Sequence, residues 1–212
     1  MGDCLTSAPP GRLEELRRQF RERHHVTLSG FLGSGLVDTV ADEIADAEFE
    51  LQASEGDIGT ESEMQPNRVS ATLNWRMNAP SLIAAVREVT DCEEIGLFAG
   101  RVYRLEPSSG QSFDWHDDLG STERRVAFSV NLGNRPYSGG VLQIRERRAP
   151  DLIAEVSNLA PGDAVLFRLG PHLVHRVTPV EGTVPRVAFA GWFLAGPNYY
   201  SSLLRAAAGV AE

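Results

Sequence analysis

The residues able to do chemistry in this chain lie between Gln111 and Phe193: Trp115-His116-Asp117-Asp118, Pro161-Gly162-Asp163, and His175 followed by Arg186. On an extended segment side chains repeat every two residues, so His116 and Asp118 share one face while Asp117 points to the other. A later strand carrying His175 completes two imidazoles and one carboxylate. That set holds one ion from one side and leaves coordination positions open, as suits non-haem Fe(II). The dyad alone carries little weight: with five histidines and 29 acidic residues such a pair arises easily by chance, and a solvated acidic turn is its plainer explanation.

Order supplies the weight. The dyad is followed by an alternating run from Arg125 to Asn131, a Gly139-Gly140 corner, a Pro161-Gly162-Asp163 turn into Ala164-Val165-Leu166-Phe167, and then His175-Arg176-Val177 with Pro179-Val180, Arg186 and Trp192-Phe193. With Gly110-Gln111-Ser112-Phe113 ahead of His116 and Asp118, residues 98 to 194 resemble the iron(II)- and 2-oxoglutarate-dependent dioxygenases, specifically the prolyl-4-hydroxylase-like branch.

The resemblance implies a double-stranded β-helix and a set of roles. His116, Asp118 and His175 bind Fe(II) and are the catalytic centre; His172 is the competing third ligand. Arg186, placed on a strand antiparallel beside that of His175, takes the C5 carboxylate of 2-oxoglutarate, in the bidentate geometry that suits a guanidinium. Asn131 and Tyr103 are the polar residues expected to assist it, and Val177 and Trp192 are expected to wall the cosubstrate pocket. The implied reaction couples O2 and the decarboxylation of 2-oxoglutarate, releasing succinate and CO2, to hydroxylation of an unactivated C–H. The carboxylate of Asp118 favours hydroxylation, desaturation or cyclisation over halogenation, since related halogenases carry a small residue there.

The elements that must position these residues fall into two groups. From Leu97 the apolar period is two, and strands are predicted at 98–106, 111–118, 124–132, 139–146, 152–157, 163–168, 173–180 and 185–194. They suit a double-sheet jelly roll, cupin-like, backed by N-terminal α-helices. Ahead of it, Leu13, Leu16 and Phe20 mark an amphipathic helix after Pro9-Pro10-Gly11, ended by His24 and His25 acting as cations near the last carbonyls; Val26-Thr27-Leu28 is a short strand. Ser34 is placed to cap a second helix carrying Leu36, Val37, Val40, Ile44 and Ala47, and Asn78-Ala79-Pro80-Ser81 opens another with Leu82, Ile83, Val86 and Val89. The acidic stretch from Ala53 to Gln65 has no period and is expected to be a mobile loop, alternatively a lid; Arg68 to Trp75 alternates weakly and is expected to be a strand. The chain divides into a support region at 1–95, a catalytic core at 96–196 and a tail at 197–212 with a short helix, together one structural domain.

Composition narrows the function classes. A net charge of −9 with no basic run argues against nucleic acid, and no apolar run is long enough for a membrane span. Two cysteines give no disulfide framework or metal spacing, and no signal peptide pattern opens the chain, so a cytoplasmic location is expected. All 20 basic residues are arginine, which fits a GC-rich bacterial genome and excludes lysine-based catalysis. The expected substrate is a small molecule, an amino acid or natural-product intermediate, with specificity carried by Trp115, Asp117 and Arg135 together with the segments at 53–65 and 119–124. A peptidyl-prolyl substrate is the alternative, and a non-catalytic jelly-roll binding module the second. Oligomeric state is not legible.

Overall fold

The first helix forms where proline and an apolar stripe coincide. In the computed structural model, which describes residues 5–54, 58–157 and 160–199, α1 spans Pro10–Arg23 with proline in its first turn. It ends at His24, whose φ of 62° turns the chain into β1, His25–Leu28. Burial pushes the His24 imidazole toward the neutral form, so this ending is a backbone turn and not the expected cation on the helix carbonyls. The second helix, α2 (Ser34–Ala45), carries Leu36, Val37, Val40 and Ile44 as expected but ends before Ala47, and Gly33 and not Ser34 occupies its N-cap position, without a side-chain bond.

Two N-terminal expectations are overturned. The segment expected to be a strand is helix α3, Arg68–Met77, followed by α4, Pro80–Thr90. Asn67 accepts from the backbone of Val69 and Ser70 at 2.9 and 3.2 Å while the Ser70 hydroxyl receives the Asn67 N–H at 3.1 Å. This reciprocal cap nucleates a helix whose Val69, Leu73 and Met77 are all buried. The weak alternation misled because those three also fit a period of two. Asn67→Ala is expected to cost about 1 kcal/mol, lowering the melting temperature by about 2–4 °C, as read by thermal unfolding.

The stretch expected to be a mobile loop, 53–65, instead holds the end of β2 (Phe49–Ala53) and all of β3 (Gly59–Met64), which pair with each other. The possible lid at 53–65 is therefore largely sheet, with residues 55–57 outside the described set. Its missing period has a physical cause: the inward side chains of β3 are Glu61 and Glu63, which line the cavity and are not packed in an apolar core.

The remaining strands are β4 (Ile95–Leu105), β5 (Ser112–His116), β6 (Arg124–Asn131), β7 (Ser138–Gly139), β8 (Leu142–Glu146), β9 (Leu152–Val156), β10 (Ala164–Arg168), β11 (Leu173–Val177), β12 (Val180–Glu181) and β13 (Arg186–Ala195). Two of the predicted strands, 139–146 and 173–180, are thus each broken by a corner. The main sheet has the order β1-β10-β6-β13-β4-β3-β5-β11-β8-β9, antiparallel at each pair, and β7 with β12 forms a separate ribbon. β3 joins the two halves, pairing Ser62 and Glu63 with β4 and Gly59 and Thr60 with β5. A Cβ at Gly59 would lie 1.8 Å from the Ser112 carbonyl oxygen, so only glycine permits that junction. The result is a nearly closed jelly-roll barrel with helices on one side.

Alternation divides the buried side chains between two layers. Val126, Phe128 and Val130 of β6 and Phe189 and Phe193 of β13 face the helices and pack with Phe98, Leu73, Val86 and Phe20. Ala127 and Ser129, with Arg186, Ala188, Ala190 and Trp192, lie on the opposite face, inside the barrel. The helix layer is locked to the sheet by Asn74 and Asn78, whose amides exchange bonds of 2.8–2.9 Å with the backbones of Gly100 and Phe98. No helix among the described residues is long and apolar enough to cross a membrane. The tail beyond residue 199, with its expected helix, lies outside the described residues.

Candidate metal centre and its cavity

The three residues of the sequence pattern converge. His175 sits mid-strand on β11, directly opposite His116 of β5 and Ile144 of β8, facing inward with Leu173 and Val177. His116 is the last residue of β5, and its ring lies 4.1 Å from that of His175 between centroids. Asp118 lies beyond the strand with φ of 58°, so it meets His116 through a turn and not through the alternation of an extended segment. A register shift in the β5–β11 pairing and a left-handed turn at Asp118 bring the carboxylate back over the imidazole. The same turn sends Asp117 to an ion pair with Arg147.

Asp118 Oδ1 is 3.4 Å from His116 Nε2, and its Oδ2 is 3.2 Å from His175 Nε2. All the candidate ligand atoms lie within 4.8 Å of one another. Donors about 2.1 Å from an octahedral ion sit about 3 Å apart at right angles, so this spacing fits a ligand set on one face of such an ion. His116 Nδ1 meets the Asp114 carbonyl oxygen at 2.6 Å, which turns Nε2 toward the cluster. The Trp192 indole donates to Asp118 Oδ2 at 2.8 Å, and the Arg124 guanidinium stacks 3.8 Å over that indole while donating to the Asp118 carbonyl at 3.2 Å.

Burial acts first on all three titrating groups, and the neighbours then divide them. Asp118 is held well below the usual carboxylate range because bonds from His116 and His175 outweigh its burial. The same bond outweighs burial at His116 and raises it, whereas burial dominates at His175 and lowers it. The ionised Asp118 and the neutral His175 are in the state a divalent ion requires of its ligands, whereas His116, held toward its protonated form by Asp118, would release that proton on binding the ion.

A cavity of about 590 Å3 opens on this cluster and holds Arg186 as well. Arg186 is buried, donating to the Tyr103 hydroxyl and, at 3.2 Å, to Ser129 Oγ, with Tyr137 a further hydrogen-bond partner. Its strand is not beside that of His175, as the sequence had suggested: β13 pairs with β4 and β6, and the guanidinium enters from the opposite half of the barrel. Gly140, at φ of 58°, leaves room for it, since a Cβ there would stand 2.8 Å from Arg186 Cδ.

Of the other predicted residues, Tyr103, Val177 and Trp192 line the cavity, and Asp117 reaches its rim. Asn131 does not line it. Its Oδ1 accepts from Gly133 N at 2.9 Å, closing the turn after β6, and Ser129 two residues earlier holds the place against Arg186 instead. His172 stands apart from the cluster, edge-on to His24 at 6.4 Å. Trp115 is sandwiched outside by Arg145 and Arg176 at 4.3 and 4.7 Å, and Arg135 is exposed; neither lines the cavity. Sequence reasoning named none of Ser129, Tyr137, Glu61, Glu63 and Arg101 individually, though Glu61 and Glu63 lie in the 53–65 segment expected to bear on specificity. Ser129 carried a signal of its own, as the polar residue inside the inward-facing series of β6.

A family model described as the 2OG-Fe(II) oxygenase superfamily matches residues 100–194. Curated protein sequences provide no match. Among solved structures, a prolyl-4-hydroxylase from Pseudomonas putida is 20% identical with a TM-score of 0.64, over 87% of this chain and 99% of that one. The non-haem α-ketoglutarate-dependent epimerase SnoN of nogalamycin biosynthesis is 18% identical with a TM-score of 0.66, over 88% and 82%. A Trichoplax adhaerens prolyl hydroxylase, solved with a hypoxia inducible factor peptide fragment, is 15% identical with a TM-score of 0.61, over 91% and 96%. These likenesses extend the shared fold over the N-terminal helices, while the matched segment runs from β4 through β13 and contains the whole His-Asp-His cluster. Residues 100–194 therefore match the 2OG-Fe(II) oxygenase superfamily, whose members are non-haem iron enzymes that work with Fe(II), 2-oxoglutarate and O2, and the His-Asp-His cluster lies inside that match.

Proposed function

We propose that the protein hydroxylates an unactivated C–H of a small polar molecule, with His116, Asp118 and His175 as its iron ligands and Arg186 as the anchor of 2-oxoglutarate. The observation that carries this reading is the presence of both parts in one cavity: three ligand atoms within 4.8 Å of one another, and a buried guanidinium with room before it.

Bound Fe(II) with 2-oxoglutarate supplies the oxidising chemistry, consuming O2 and releasing succinate and CO2. The side chains do the rest. His116 and His175 present Nε2, and Asp118 a carboxylate oxygen, toward one point on the cavity wall, where they would hold Fe(II). Trp192 fixes the Asp118 carboxylate through its indole N–H, and the Asp114 carbonyl fixes the His116 ring. Arg186 offers two N–H groups to a distal carboxylate, oriented by Tyr103 and Ser129. Phe113, Leu142, Phe167, Val177 and Ala190 form the apolar wall that keeps water from the reacting positions.

Two features favour a small polar substrate over a prolyl side chain. The cavity volume lies in the range of small-molecule sites. Its lining beyond the cosubstrate region carries Glu61, Glu63, Arg101 and Arg124, more charge than an apolar ring calls for. Succinate release followed across free amino acids, proline-containing peptides and biosynthetic intermediates tests the reading. Stimulation by small molecules alone supports it, and stimulation confined to proline peptides overturns it. Trp192→Phe, which keeps the ring and removes the donor to Asp118, is expected to weaken Fe(II) binding by about 10- to 100-fold, as measured by anaerobic titration.

A further inference from the structure

Glu61 has no part in the iron or cosubstrate sites as assigned, yet it is among the most deeply buried charged residues of the cavity wall, its side chain 3% exposed. Its Oε1 takes Arg101, with Nε at 2.6 Å and Nη2 at 2.5 Å. Its Oε2 is equally buried and has no hydrogen-bond partner. A buried carboxylate oxygen with nothing to accept is costly, and proteins rarely leave one so unless a ligand completes it.

The charge around it identifies what is missing. Arg101 faces Glu63 as well, at 3.5 Å, so one guanidinium stands against two carboxylates. Burial pushes the Glu61 carboxyl up even with Arg101 in contact, the mark of a carboxylate short of positive charge. Arg186 is the next cation to act on Glu61, but once 2-oxoglutarate is bound its charge is met by the distal carboxylate. In the loaded cavity the group of Glu61, Glu63 and Arg101 is left one positive charge short, beside an open acceptor. Arg101 itself cannot turn freely to compensate, because its guanidinium lies 5.5 Å over Trp192 and 5.6 Å over Tyr103.

We infer that Glu61 is a substrate-recognition residue and that it receives the protonated amine of a small amine-bearing substrate, Oε2 taking the ammonium N–H while Arg101 holds Oε1. This rests on the cosubstrate reading of Arg186.

The probes are free L-amino acids and simple alkyl amines, each paired with its N-acetylated form. They are offered to the full chain with Mn(II) and 2-oxoglutarate and read by saturation-transfer NMR, then with Fe(II) and read by succinate release. Amines are expected to bind, N-acetylation to weaken binding by about tenfold or more, and Glu61→Gln to abolish that difference. Equal binding of the acetylated partners, binding confined to neutral or anionic compounds, no binding by any amine, or an amine preference that survives Glu61→Gln overturns the inference. The comparison of amine with acetylated partner uses the wild-type protein, so it stands even if the variant does not fold. Thermal stabilisation of the wild type by Mn(II) with 2-oxoglutarate separates the two failures: if it is absent the site assignment falls and this inference with it, and if it is present without amine preference only the amine assignment falls.

Discussion

His175→Ala is expected to abolish stabilisation by metal and cosubstrate. A ligand pair present at about 100 times its dissociation constant stabilises the folded state by about 2.7 kcal/mol. For a chain of this size that is about 5–10 °C in melting temperature, to be read with Mn(II) and 2-oxoglutarate in the absence of turnover. His175 is 6% exposed, sits mid-strand and faces Asp118 at 3.2 Å, so no neighbouring side chain among the described residues can take its place. Loss of a group that merely supports a ligand costs about 10- to 100-fold in affinity, and loss of the ligand itself should exceed that. Succinate formation should fall to background. His172→Ala is the control, because its ring is turned toward His24, and it should keep the full shift. A full shift in His175→Ala, or its loss in His172→Ala, would sink the ligand assignment.

The second large effect separates function from stability. Arg186→Met should raise the KM for 2-oxoglutarate by about 100-fold or more, since truncating one partner of a buried charge pair costs about 2–5 kcal/mol. Without cosubstrate, however, the described hydrogen-bond partners of Arg186 are the hydroxyls of Tyr103, Ser129 and Tyr137, and no carboxylate lies within ion-pair distance among the described residues. A buried cation lacking a counter-ion is itself a burden, and replacing it with an apolar chain of similar length is often neutral or stabilising. The unliganded variant should therefore unfold at or above the wild-type temperature while failing to bind 2-oxoglutarate. Arg186→Lys should fall between, keeping the charge and losing the fork. Unimpaired cosubstrate binding in Arg186→Met, or a collapse of its unliganded stability, would show that the guanidinium is a structural group.

How far the site could be read in advance follows from where each residue gets its neighbours. Arg186, Ala188, Ala190 and Trp192 are inward because a strand alternates, and that is visible in one dimension. Tyr103 was reachable by the same reasoning on β4. Asn131 obeyed the alternation and still missed the cavity, because its amide was drawn to the turn at Gly133. Local hydrogen bonding of this kind competes with a pointing direction and has no sequence period. The acidic hairpin was misjudged for a related reason. Sequence periodicity reports apolar burial, and β3 buries carboxylates against Arg101, so a strand at the centre of the barrel looked like a loop.

The chain by itself determined the types of the candidate ligands, their order, and the alternation that turns most of the cavity residues inward, because these follow from side-chain chemistry and from the two-residue repeat of extended backbone. Only the tertiary structure decided that Asp118 reaches the imidazoles through a left-handed turn, that Arg186 comes from the other half of the barrel, and that Glu61 is buried with an acceptor to spare. Those facts depend on pairings between segments far apart in sequence. A strand's own residues specify which way its side chains point, but the strand placed opposite decides what they meet.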